Sequence, residues 1–158
     1  FVFALNSSPI SAAVFINEIL PNPDGDDAGR EWLELYNNSG SPVSLTGYIL
    51  EDRNGDQLNL SGEISTYSVV FAQGSFNLTN DGNTTIKLLS NTDTTNPIDS
   101  FSYSSSNEGK SWGRIPDGGS IYAEALPPTQ GAANAAPPSP SPSPSPSPSP
   151  PRPTRSPR

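Results

Sequence analysis

The chain of 158 residues contains no cysteine, no histidine and no methionine. Without cysteine there is neither a disulfide framework nor a thiolate metal site, and the redox compartment stays open. Without histidine a serine has no imidazole base, and Lys87 and Lys110 stand in no Ser-Lys motif. Paired carboxylates remain as an acid–base device, but their separation decides their chemistry and is not a property of sequence. The expectation is a chain that is not an enzyme. No apolar run approaches the ~20 residues of a membrane span, and no segment keeps a sustained helical period.

Positive charge is also scarce. Lys and Arg number 8 against 16 Asp and Glu. Three of the cations, Arg152, Arg155 and Arg158, fall in the last stretch, so the body carries five cations against sixteen carboxylates, net −11. Such a body repels phosphate backbones, and no nucleic-acid partner is expected.

What is present falls into three parts. Residues 1–13 read as a leader or signal-peptide remnant. Phe1-Val2-Phe3-Ala4-Leu5 is similar to the end of an apolar signal core, and Ser11-Ala12-Ala13 to a small-residue cleavage site. An extra N-terminal strand is the alternative. Residues 135–158 are almost wholly proline, serine and arginine, with a strict Ser-Pro repeat over 139–150. That composition buries nothing and predicts a disordered Ser/Pro-rich tail, a linker or stalk of polyproline-II character reaching at most ~3.1 Å per residue. Residues 14–134 have the ordinary size and apolar content of one self-sufficient domain.

Within that domain the stretch 31–37, Glu-Trp-Leu-Glu-Leu-Tyr-Asn, predicts a strand. Alternation sets Leu33 and Leu35 on one face, and Trp32, Glu34 and Tyr36 on the other. Both faces carry apolar bulk, so the strand belongs inside a sheet with cover on each side. Further strands are expected over 14–20, 42–52, 57–60, 67–72, 84–90, 98–103 and 111–115. Prolines 21 and 23 should turn the first strand out of its sheet, and Asn54-Gly55 marks a hairpin. Short strands with turn signals at this spacing predict an all-β sandwich or barrel. Core candidates include Val14, Ile16, Ile19, Leu33, Leu35, Leu45, Ile49, Val69, Phe71, Ile86, Leu88 and Phe101.

Four patterns could carry chemistry. Asp24, Asp26, Asp27 and Glu31 gather hard oxygen ligands on a loop, as Ca²⁺ prefers, without the EF-hand spacing. Asp52 to Asp56 alternates acids at the hairpin but lacks the sharp-turn glycine. Trp32, Glu34, Trp112 and Arg114 suggest a structural clasp, in which Arg114 partners Glu34 or Glu18 and holds a carboxylate otherwise costly to bury. Asn-x-Ser/Thr sequons stand at Asn6, Asn37, Asn59, Asn77 and Asn83, and residues 150–155 fit a PxxPxR recognition pattern.

Three blocks resemble the lamin tail domain family in its bacterial and archaeal extracellular form. Ile16-Asn17-Glu18-Ile19-Leu20-Pro21-Asn22-Pro23 is similar to the opening strand. Residues 31–37 with Val43-Ser44-Leu45-Thr46-Gly47-Tyr48-Ile49-Leu50 are similar to the central pair. Ser111-Trp112-Gly113-Arg114-Ile115-Pro116-Asp117-Gly118, with Pro128-Thr129-Gln130-Gly131-Ala132-Ala133-Asn134, is similar to the closing signature. Gln130 stands where the family more often has proline. The resemblance implies an immunoglobulin-like antiparallel β-sandwich without catalytic residues or fixed ligand. It also implies a binding or scaffolding accessory domain of a secreted or cell-surface protein, recognising a protein partner or a surface polymer. An accessory domain of a larger secreted hydrolase is the alternative. A nuclear lamina-type structural domain is the second, disfavoured by the leader and by the lack of coiled-coil heptads.

Overall fold

The computed structural model of the chain describes residues 13–27, 29–66, 69–72 and 78–134, the stretch 69–72 through its backbone alone. Residues 1–12 of the expected leader, the whole 135–158 tail and the side chains of Val69 and Phe71 lie outside that description, as do Asn6 and Asn77. Among the described residues there is no helix. The strands are β1 (Val14–Asn22), β2 (Trp32–Asn37), β3 (Val43–Ser44), β4 (Tyr48–Glu51), β5 (Gln57–Asn59), β6 (Glu63–Ile64), β7 (Val69–Ala72), β8 (Asp81–Ser90), β9 (Asp99–Ser105), β10 (Lys110–Arg114) and β11 (Tyr122–Leu126).

They form a five-stranded sheet in the order β11-β10-β1-β2-β7, a four-stranded sheet in the order β5-β4-β8-β9, and the short pair β3-β6. Every pairing is antiparallel. The two larger sheets share one core. Ile16, Leu33 and Leu35 meet Leu50, Ile86, Leu88 and Phe101, all buried. Each such side chain contributes about 1.5–3 kcal/mol on leaving water. Edge-on contacts of Phe101 with Tyr122 at 4.2 Å and with Trp112 at 6.2 Å carry the packing across the sandwich.

The expected period-2 faces of β2 are present. Leu33 and Leu35 enter the core, and Trp32 and Glu34 are buried on the opposite face. The strand is interior, between β1 and β7, yet the middle place of its sheet belongs to β1. Three boundaries differ from the sequence expectation. Residues 42–52 do not form one strand: Gly47, at φ 93°, turns the chain between β3 and β4. Pro21 stays inside β1 instead of leaving it, at a register shift between Ile19 and Asn22 where no ladder N–H is required. Finally, β8 starts at Asp81, ahead of the start expected at residue 84.

Candidate functional site

A bulge in β1 organises the surroundings of the sequence-predicted clasp. Ile16 faces Leu35 and Glu18 faces Glu34, so Asn17 is the extra residue. Beside the bulge, the backbone N–H and C=O of Ile16 take side chains as partners. Asp99 Oδ2 accepts the Ile16 N–H at 2.8 Å, and the Ile16 carbonyl accepts Arg114 Nε–H at 2.8 Å. Arg114 Nη2 closes the circuit with hydrogen bonds of 2.8 and 2.9 Å to the two Asp99 oxygens. Its guanidinium also lies 4.3 Å from the centre of the Tyr122 ring.

This corrects the expected pairing: Arg114 is bound neither to Glu34 nor to Glu18. Strand parity gives the reason. Trp112 and Arg114 face the second sheet, where Trp112 stacks near Phe101 and donates its Nε1–H to the Ser105 carbonyl at 3.0 Å. Ser111 and Gly113 face the other way, and there Ser111 Oγ donates to Glu18 Oε1 at 2.5 Å. Glu18 and Glu34 are cross-strand neighbours on that outer side, and no cation accompanies them among the described residues.

Their cover is the segment after β11. Thr129 donates its Oγ1–H to Glu18 Oε2 at 2.8 Å and its N–H to Glu18 Oε1 at 3.1 Å. The Gly131 N–H donates to Glu34 Oε1. Asn134 pins the end of this strap: its N–H bonds Asp117 Oδ1 at 3.0 Å, and its Nδ2 bonds the carbonyls of Asn17 at 3.2 Å and Arg114 at 3.1 Å. Asn17 in turn holds the 116–119 turn, accepting the Gly118 N–H at 3.0 Å. Glu34 Oε2 is buried without a hydrogen-bond partner among the described residues. Burial pushes the Glu34 carboxyl up to about 7; the Gly131 N–H opposes this, and the charges of Glu18 and Asp117 add to it. The sequence gives no periodic sign of the strap, and its Thr129 and Gly131 carry no motif beyond the family resemblance.

The acidic loop does not gather its carboxylates. The Asp24 carboxylate lies against Gly109, with Glu108 Oε1 accepting the Gly25 N–H at 3.0 Å. Asp27 Oδ2 accepts from Asn80 Nδ2 at 2.6 Å, and Glu31 Oε2 from the Leu78 N–H at 3.2 Å. Burial raises the Glu31 carboxyl above its ordinary value, and the Asp27 charge adds to the rise. Asp26 is exposed. Among the described residues no three acidic side chains stand close enough together to hold a metal ion. At the hairpin, Asp52 Oδ1 accepts the N–H groups of Asn54 at 2.8 Å and Asp56 at 3.0 Å, which makes it a turn-forming residue.

What the loop does form is one wall of a cavity of about 480 Å³. Leu20, Pro23, Trp32 and Pro128 supply its apolar lining, and Asp24, Arg30 and Gln130 its polar groups. Arg30 is steadied by a 2.5 Å hydrogen bond from Nη1 to the Asp24 carbonyl. The opposite wall, Pro128 and Gln130, is the strap itself. Concave shape, an indole floor and a few fixed polar groups are the attributes of a ligand site of this size. Sequence reasoning placed Trp32 in a clasp and the acids in a metal loop, and it missed the space between them.

The family model described as Lamin Tail Domain matches residues 7–105. That span ends before β10 and β11, although both strands continue the sheet beside β1. No curated protein and no solved structure matches the chain.

Proposed function

The chain belongs to the lamin tail domain family, an immunoglobulin-like and non-enzymatic domain type, and from this we propose that it is a non-catalytic binding or scaffolding accessory domain. Its setting is a secreted or cell-surface protein, and its target a protein partner or a surface polymer. The observation that carries the reading is the cavity between the acidic loop and the strap, floored by Trp32. The sandwich keeps this site rigid. Leu20 and Trp32 are opposed across β1 and β2, and the strap beside them is tied to Glu18 and Glu34.

Gln130 is exposed on the rim of the cavity, so Gln130→Trp fills the mouth without entering the core. The fluorescently labelled chain is expected to be retained on intact cells of the source and on their isolated envelope polymers, and Gln130→Trp to lower retention about tenfold. Equal retention of both proteins would refute the cavity as the binding site.

A further inference from the structure

We propose that the cavity floored by Trp32 is the docking site of the chain's own proline- and arginine-rich segment, residues 150–155, bound in cis. This rests on reading the cavity as a binding site and names the chemistry it selects: a polyproline-II strand flanked by arginine.

The lining favours such a strand. Pro23 and Pro128 line the cavity together with Leu20 and Trp32. Proline rings seat against aromatic and proline walls, and a polyproline-II segment is extended before it binds, so it loses little entropy on docking. Residues 150–155 read Pro-Pro-Arg-Pro-Thr-Arg, with rings to fill the cavity and guanidinium groups to reach its rim.

Charge complements shape. The loop and the adjoining turn carry Asp24, Asp26, Asp27, Glu31 and Glu108 against Arg30 and Lys110, net −3. The Gly25–Glu108 hydrogen bond joins the loop to the turn, Asp24 lines the cavity, and Asp27 and Glu31 bond Asn80 and Leu78 beside it. The tail carries Arg152, Arg155 and Arg158 and no acid.

Reach is ample. Asn134 is pinned to Asn17, Arg114 and Asp117, and the strap that ends there is itself the cavity wall. Arg152 follows 18 residues later, a span of up to ~56 Å at ~3.1 Å per residue. An external partner of like chemistry would have to displace the tail.

The absence of cysteine makes the test clean, because Thr154→Cys accepts a single nitroxide on the full-length chain. Paramagnetic broadening of the amides of Gly109 and Gln130 and of the Trp32 indole is expected to halve their intensities or more. The Asn54-Gly55 hairpin and the turn at Asp93, on the other sheet, should be spared. The effect should vanish in 0.5 M NaCl and in the Arg152→Ser/Arg155→Ser variant. A Ser156→Cys label should report the same signals, which guards against damage by the first label. A synthetic peptide of residues 148–158, added to the Arg152→Ser/Arg155→Ser chain, should shift the same resonances at millimolar concentration. Broadening that is absent, centred elsewhere or seen only between chains in a mixed sample overturns the proposal. So does a peptide that shifts nothing. None of these outcomes alters the Gln130→Trp retention experiment, which judges the binding reading separately.

Discussion

Asp99 and Arg114 hold each other across the two sheets, and both are spent on one backbone unit, the Ile16 peptide. The pair satisfies the Ile16 N–H and C=O beside the β1 bulge. Its members approach at 2.8 Å, with side chains 13% and 8% exposed, so screening by water is slight.

Asp99→Ala should therefore cost about 3–5 kcal/mol in urea denaturation, since it strands a buried guanidinium and an unpaired Ile16 N–H. Arg114→Ala should cost a similar amount. Unchanged melting of Arg114→Ala, together with lost partner binding, would instead mark Arg114 as a ligand-gripping residue.

Glu34 predicts a pH dependence of known sign. Its carboxyl lies near 7 in the folded chain against an ordinary 4.5, so the folded state holds that proton more tightly. Its contribution to stability is full below about 4.5 and is lost as pH rises through about 7. Glu34→Gln keeps an acceptor for the Gly131 N–H and removes the titration. Urea melts from pH 4 to pH 8 should show a shallower loss of stability in the variant, and parallel curves would contradict this origin.

Phe101 is 1% exposed and touches rings from both sheets. Phe101→Ala should cost about 3–5 kcal/mol, with a fall in Tm read by calorimetry. A loss below about 1 kcal/mol would mean that the aromatic cluster closes over the gap.

The sequons divide by burial. Asn37 is fully buried, and its Nδ2 bonds the Ser41 carbonyl at 2.9 Å, whereas Asn59 and Asn83 are exposed. Secreted from a glycosylating host, the chain should carry glycan at Asn59 or Asn83 and none at Asn37, as read by peptide mass spectrometry. Occupancy at Asn37 would require the β2 end to open.

The sandwich was legible because a strand writes its two faces into every second residue. Leu33, Leu35, Ile86 and Leu88 declare the core without knowledge of their partners. β6 and β11 were not legible. Two residues carry no period, and Tyr-Ala-Glu-Ala-Leu has weak β propensity. The mate of Arg114 was hidden for a different reason. Parity says that Trp112 and Arg114 share a face, but only strand pairing says which face, and it sets them opposite Glu34. The bulge at Asn17 is likewise a fact about register. The cavity was invisible because its two walls, at Pro23 and Pro128, are joined only by the return of the strap.

Asn134 gives the domain a mechanical character. Tension drawn through the residues beyond it enters at the Asn134 amide, and from there passes to the Asn17 and Arg114 carbonyls. Next in line are the hydrogen bonds of Thr129 and Gly131 to the two glutamates. These are a handful of polar contacts loaded one after another, ahead of any strand of the core. Under load the strap peels first, like a seam with a pulled thread, while the sandwich beneath stays whole. The wall of the Trp32 cavity would leave with it, so a taut chain and a slack one present different surfaces.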